Sequence, residues 1–292
     1  MKKIVALVTL FNPNKSVSKN IEKLSEQVTS VVLTDNTPKV NNSKLFDSIK
    51  NAVYISNQEN LGLSAAFNKC MELAVVENSD FIIFFDQDSC ISEKYIEKLV
   101  IDFENLEKKI NIGILGPQYF DTSKNKIIEL PKNSKEIENG CFEVSEVITS
   151  SMLTKYEILK TVNLWNENVF LDYADFDLCW RLKSFGFKIC QDCNVHLSHT
   201  LGKNSHKMYL PFKNKYVIQN YWSPFRYYYQ TRDSIKLFWK KYVPHQWRKN
   251  FLIHNTIEIL MHLYYLPQKK ERLFYYCHGI IDGILGINGA KK

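Results

Sequence analysis

Residues 81–90 read FIIFFDQDSC: five apolar residues run directly into two aspartates separated by one glutamine. An uninterrupted apolar run of that length predicts a strand buried on both faces of a parallel sheet. Asp86 and Asp88 then sit at its carboxyl end, where their like charges repel. A solvated loop would hold two acids with less repulsion, so the pattern makes sense if a cation sits between them. A hard divalent ion, Mg²⁺ or Mn²⁺, suits such a site: it takes oxygen ligands and is commonly held by one or two carboxylates plus substrate phosphates. An exposed turn with Asp88 or Ser89 capping a helix from Glu93 accounts for one polar residue but not for the acid pair.

Working outward, KIVALVTL (3–10), SVVLT (30–34), AVYIS (52–56) and NIGILG (111–116) read as further strands. Val17, Ile21, Leu24 and Val28 recur at helical spacing. Leu63, Ala66, Phe67, Cys70, Leu73 and Ala74 make an amphipathic helix, and Glu93 to Glu107 makes another. Strands alternating with helices predict an α/β domain, Rossmann-like, its mostly parallel sheet flanked by helices. Ligands of such sheets bind beyond the carboxyl ends of the strands. Thr9, Asp35, Asn57, Asn60, Asp86 and Asp88 are the polar residues at those ends. This domain is expected over residues 1–205, with a small helical appendage over 206–292.

The 292 residues are 45% hydrophobic and 24% charged, an ordinary globular composition with material for a full core. The net charge of +7 is local: from Arg226 to Arg272 ten Lys and Arg face three Asp and Glu, a difference of +7. MKKIVALVTLFNPN opens with two lysines and an apolar run. Asn-Pro follows without a small-residue cleavage site, so a first strand is the better reading than an export signal. No apolar stretch approaches bilayer length. Seven cysteines, an odd number without framework spacing, predict a reducing, cytoplasmic setting.

TLFNP (9–13), LTDN (33–36), NLGLSAAFN (60–68), DQDS (86–89), DYADFDLCWR (172–181) and HTLG (199–202) follow one another in that order. Phosphohydrolases of the haloacid-dehalogenase type also carry Asp-x-Asp after an apolar strand. There it lies near the chain start and precedes a Thr or Val, where this chain has Cys90. Taken together, the six pieces resemble the inverting family 2 glycosyltransferases of GT-A fold, particularly bacterial rhamnosyltransferases. The likeness covers residues 3–202 and resumes weakly at SPFRYYYQTRDS (223–234). It implies sugar transfer from a nucleotide-sugar donor, dTDP-rhamnose foremost and other UDP- or dTDP-sugars behind it. The acceptor implied is a saccharide of a surface polysaccharide such as O-antigen, and the cofactor Mg²⁺ or Mn²⁺. By the same resemblance Asp35 reads the base, Asn60 and Gly62 shape the nucleotide pocket, and Thr9, Phe11, Asn68, Gln87, Arg181 and Arg232 line the nucleotide sugar. Asp88 holds the metal with the diphosphate, Asp86 the ribose or the metal, and His199 is a further metal or diphosphate ligand.

Inverting transfer is one in-line displacement at the anomeric carbon, and it needs one general base for the acceptor proton. The leaving group is a nucleoside diphosphate, whose charge a metal neutralises. Asp172, Asp175 and Asp177 compete for the base role, with acids in a helix's first turn as the plain alternative. The family motif favours Asp175, although many members have Glu-Asp where this chain has Ala174-Asp175. Arg181 fits an i, i+4 pair with Asp177 as well as a diphosphate contact. Asp233 follows Arg232 where rhamnosyltransferase-like members often have Asn. Cys190, Cys193, His196 and His199 recur every third residue, which on a strand points them to opposite faces and argues against zinc. FNPNKS is not the Gly-rich phosphate loop of a nucleotidyltransferase. An inactive scaffold is the non-enzyme alternative.

Near the C-terminus Ile235, Phe238, Trp239 and Tyr242 recur at helical spacing, with Lys236, Lys240 and Lys241 off that face. No nucleic-acid motif accompanies them. One reading is a helical lid. The other is a patch for an anionic membrane surface, in which lysines sit beside Trp239 and Trp247. Such a patch would bring a peripherally bound enzyme to an acceptor carried on a lipid diphosphate.

Overall fold

The apolar run after Lys3 enters the middle of a sheet. In the computed structural model, which describes residues 2–121, 126–131, 134–199, 204–210 and 214–291, it forms β1 (Ile4–Leu10). There follow α1 (Lys15–Ser25), β2 (Ser30–Asp35), β3 (Ala52–Ser56), α2 (Leu63–Met71), α3 (Ala74–Glu77) and β4 (Phe81–Asp86). The helix expected over 63–74 divides at Leu73, whose backbone is extended. These four strands are parallel in the order β3-β2-β1-β4. Their register sets Leu10 beside Asp35 and Thr9 beside Asp86, so the polar residues that end each strand share one edge.

β4 is apolar throughout because both of its faces are covered. Phe81, Ile83 and Phe85 belong to a core with Val17, Ile21 and Leu24 of α1 and with residues of α4 (Tyr95–Glu107). Phe84, on the other face, meets Phe67 of α2 at 4.7 Å and Trp165 at 5.0 Å between ring centroids. Each such side chain removed from water contributes about 2 kcal/mol. β5 (Ile112–Asp121), β6 (Lys126–Ile127), β7 (Lys135–Glu138), β8 (Cys141–Glu143), β9 (Met152–Thr154), α5 (Tyr156–Thr161), α6 (Ala174–Ser184) and β10 (Lys188–His199) complete this part. The sheet continues β4-β9-β5-β10-β8-β7. β9 runs antiparallel to both neighbours, while β5 and β10 are parallel, so beyond β4 the sheet is mixed.

Contacts divide the chain into two compact units. One comprises Met1–Phe170, Ala174–His199 and Gly289–Lys292; the other comprises Leu171–Tyr173 and Thr200–Asn288. The second contains a hairpin, β11 (Asn204–Leu210) and β12 (Lys215–Tyr221), that the expectation of a purely helical appendage missed. α7 (Pro224–Phe238), α8 (His245–Tyr265) and α9 (Lys269–Ile284) follow. α7 ends at Phe238, capped by Trp239, so the expected helical spacing from Ile235 to Tyr242 straddles its end. The Gly-rich stretch is the second half of α9. A Cβ on Gly279 or Gly283 would come 2.8 Å from the carbonyl oxygen of Tyr228 or Arg232, so these glycines let α9 lie close on α7. Lys236 is not the surface cation expected of a membrane patch: its Nζ lies 2.9 Å from Asp233 and its side chain is 10% exposed. Among the described residues no helix is long and apolar enough to cross a membrane.

Candidate active site

The turn after β4 is pinned to the turn after β1. The Phe11 amide donates to Gln87 Oε1 at 2.9 Å, and Gln87 Nε2 donates to the Phe11 carbonyl at 3.1 Å. Asn12 N in turn donates to Thr37 Oγ1 at 2.7 Å, which ties in the end of β2. The Gln87 amide thus positions the loop that carries Phe11. Asp86 is half-buried in this turn and Asp88 is exposed. Both offer hard carboxylate oxygens. Among the described residues no three His, Cys, Asp or Glu gather into a metal cage. A ligand-poor acid pair fits an ion that completes its shell with diphosphate oxygens and water.

Asp35 closes β2 at the same edge as Asp86. It is fully buried, and both oxygens are engaged. Oδ1 accepts from the Thr37 amide (2.9 Å) and hydroxyl (2.6 Å); Oδ2 accepts from Asn42 Nδ2 (2.8 Å) and the Tyr54 hydroxyl (2.6 Å). Burial, and then the bond to Asp35, push the Tyr54 hydroxyl up to about 12, so it remains a donor. Asp35 is therefore a hub that shapes the β2 turn. Asn36 and Asn57 extend this network: Asn57 Nδ2 donates to Thr34 Oγ1 and to Asn36 Oδ1, and Asn36 Nδ2 donates to the Gly62 carbonyl.

Asn60 and Gly62 build the start of α2. Asn60 Oδ1 accepts from the Gly62 amide at 3.0 Å. Gly62 has φ +82°, and a Cβ there would overlap the Phe170 carbonyl oxygen, which accepts from the Leu63 amide at 2.6 Å. Asn68 holds a peptide instead of a ligand. Its Nδ2 donates to the Trp165 carbonyl and its Oδ1 accepts from the Trp165 amide, both at 3.0 Å, with Glu167 taking the remaining hydrogen.

The three candidate bases have different surroundings. Asp172 is held by Arg226, with Nη2 at 2.8 Å. Asp177 is fully buried, bonded by Arg181 Nε at 2.7 Å and Asn166 Nδ2 at 3.2 Å. Arg181 also donates to the carbonyls of Val162 and Leu164, so the i, i+4 pair with Asp177 is formed and Nη1 is engaged as well. Asp175, half-buried in the first turn of α6, accepts from its neighbour Phe176 N at 2.9 Å and from Thr149 N at 3.2 Å. Arg232 lies fully buried inside the second unit. It is bonded to Asp233 at 2.7 Å and lies over the Tyr228 and Tyr229 rings.

Sequence reading missed the segment that joins the acids. Thr149 holds Asp175, the next residue, Ser150, shares a short hydrogen bond with Ser89, and Ser89 follows Asp88. Ser151 continues the segment, its amide donating to the Phe84 carbonyl at 2.6 Å and its hydroxyl accepting from Tyr95 at 2.8 Å. A bridge between Cys90 and Ser198 brings the end of β10 to the same turn. His199 closes that strand. Its side chain, and Thr200 to Gly202 of the HTLG motif, lie outside the described residues.

Residues 6–162, more than half of the chain, match the family described as Glycosyl transferase family 2. The chain belongs to that family. It is a glycosyltransferase, and the phosphohydrolase alternative falls away. This family 2 enzyme is 27% identical over 302 residues to the dTDP-rhamnosyl transferase RfbF of Shigella flexneri, covering 99% of this chain and 98% of that protein. Among solved structures its fold is similar to GalNAc-T7 with UDP, GalNAc and Mn²⁺ (TM-score 0.61, 12% identity, 98% of this chain and 56% of that one). It is also similar to residues 1–349 of S. aureus TarS in complex with UDP-GlcNAc (TM-score 0.60, 13% identity, 98% and 81%). The fold is thus that of the GT-A glycosyltransferases.

Proposed function

We propose that this family 2 enzyme transfers L-rhamnose from dTDP-rhamnose to a saccharide acceptor, with inversion at the anomeric carbon. The observation that carries the donor assignment is the end-to-end similarity to the Shigella flexneri dTDP-rhamnosyl transferase. Asp175 serves as general base: the acceptor oxygen attacks the anomeric carbon, its proton passes to the Asp175 carboxylate, and the diphosphate leaves with the bonding electrons. The place of Asp175 in the first turn of α6 favours its ionised form, because the helix dipole is positive there. The Thr149 amide fixes one of its oxygens, which orients the other lone pairs. Asp88, with Asp86, would hold Mg²⁺ or Mn²⁺, and the ion supplies charge neutralisation of the departing diphosphate. Phe11 and Gln87, locked to each other, form the wall between the β1 and β4 turns against which the donor lies. The product is expected to extend a surface polysaccharide such as O-antigen.

The test is a donor panel with a short soluble acceptor, read by released nucleotide and by the anomeric configuration of the product. Fast release from dTDP-rhamnose, lost with chelator and restored by Mn²⁺, is the expected result; preference for a UDP-sugar overturns the donor assignment. Asp175→Asn should keep donor binding and lose about a hundredfold or more in turnover. An active Asp175→Asn beside an inactive Asp172→Asn would move the base to Asp172.

A further inference from the structure

The three residues that lead into α6 pack with the second unit: Leu171–Tyr173 belong there, and α6 begins at Ala174. Two of the three are held by side chains from separate helices. Asp172 takes a forked ion pair from Arg226, whose Nη2 lies 2.8 Å from Oδ1 and whose Nε lies 3.2 and 3.3 Å from the two oxygens. Tyr173 meets Trp247 edge-on, with ring centroids 5.6 Å apart. Arg226 is the third residue of α7 and Trp247 the third of α8. Both anchors are backed in turn. The Arg226 guanidinium lies 5.0 Å over the Trp222 ring, and Trp247 stacks on Phe251 at 5.2 Å.

The backbone at this point is strained. Tyr173 has φ +67°, the left-handed region that a bulky L-residue occupies only at a cost. Such a conformation persists where its surroundings over-determine it. Here Arg226 holds the residue before, and Trp247 holds the side chain of Tyr173 itself. Asp175 stands two residues further on. The first N–H groups of a helix have no acceptor within it, so α6 does not by itself fix how its first turn is entered. The strained turn at Tyr173 therefore sets the direction from which Asp175 leaves the backbone.

We propose that Arg226 and Trp247 are positioning residues for the transfer reaction. By clamping Asp172 and Tyr173 they fix the turn from which Asp175 is presented to the acceptor hydroxyl. Asp172 is then the handle of the clamp, not a second base. A general base has to come within about 2.6–3.2 Å of the proton it takes. A misplacement of about 1 Å costs on the order of a hundredfold in rate, so a loosened clamp shows in turnover and not in donor binding. That turnover responds rests on the proposed role of Asp175 as general base; the clamp itself does not.

The experiment compares the full chain with R226Q, R226K, D172N, W247L and the double variant R226Q/D172N. Each is titrated with the preferred donor of the panel and assayed at saturating donor and acceptor. R226Q should lower kcat about tenfold or more while donor affinity changes less than about twofold. W247L should act in the same direction. R226K keeps the charge but not the fork, and should recover part of the loss. The double variant should be no slower than the slower single variant, because one ion pair is removed only once. Hydrogen exchange in R226Q should quicken at the amides of Phe176 to Cys179 and stay unchanged in β1 and β4. Equal losses in kcat and donor affinity, or losses that multiply in the double variant, overturn the proposal by placing Arg226 on the substrate. Unchanged exchange overturns the clamp, and faster exchange at undiminished kcat overturns its part in positioning. The base is read separately from Asp175→Asn: if that variant stays active, the role of Asp175 falls whatever the exchange shows.

Discussion

Both carboxylate oxygens of Asp35 face inward, and the four hydrogen bonds they accept make a clear prediction at the level of one residue. An amide in its place has only one oxygen, so Asp35→Asn leaves an N–H donor facing an NH₂ group, while the hydroxyl beside it can turn to accept. Unsatisfied buried donors make that change cost about 3 kcal/mol, visible as a lowered denaturation midpoint. Loss of donor affinity at unchanged stability would instead return Asp35 to base recognition. Asn68 shows why such residues are hard to assign from sequence. A primary amide at a helix surface fits a ligand and a peptide bond equally well, and here the peptide of Trp165 takes both of its functional ends. Arg181 and Arg232 were ambiguous for the related reason that a guanidinium recognises carboxylates and phosphates with the same fork. Asp86 and Asp88 could be placed at a strand's carboxyl end because an apolar run leads straight into them.

At the scale of elements, the strands with apolar runs could be read because both faces of the sheet are covered there. β9 could not: it is three residues long, and its place between β4 and β5 comes from pairing over long sequence distances. Thr149 to Ser151 carry no spacing signature, since hydroxyls that bridge two loops look like any polar turn. The Gly-rich end of α9 looked irregular although it is helical. Alanine ordinarily stabilises a helix interior by about 1 kcal/mol over glycine, so Gly279→Ala tests its packing role. A loss of stability by thermal denaturation is expected, because the added Cβ meets the Tyr228 carbonyl on α7; a gain would mean that α9 packs loosely. β10 carries a pH-dependent contact. Asp192, fully buried, is pushed up to about 7 by burial and then by the nearby carboxylate of Asp102, from an ordinary 3.8. The folded state then binds more protons than the unfolded chain in that window. The contribution is present below about pH 4 and is lost as pH rises towards 7. Asp192→Asn should remove this slope, so that parent and variant diverge most at neutral pH, with the variant the more stable. Parallel stability curves from pH 4 to 7 would mean that Asp192 is ionised throughout.

For the whole molecule, charge follows the division into units. Leu171–Tyr173 with Thr200–Asn288 contains fourteen Lys and Arg against five Asp and Glu, a balance of +9 within a chain of +7, so the larger unit is slightly acidic. Salt should accordingly screen whatever the second unit binds more than it screens the fold. The strand order has a different consequence, in time rather than space. β3-β2-β1-β4 is complete by residue 86, but Ile82 waits for Thr154, 72 positions later, and Ile112 for Lys188, 76 positions later. A chain emerging from its N-terminus can form the parallel quartet early, with the outer edge of β4 bare until β9 arrives. Loop closure over such separations is slow, and a bare apolar edge invites pairing with a neighbouring nascent chain. Pulse-labelled hydrogen exchange during refolding should protect the amides of β1, β2 and β4 before those of β9 and β10. Simultaneous protection would mean that the sheet closes in one step. On the expected order, aggregation during synthesis is governed by how long the segment from Gln87 to Ser151 takes to emerge.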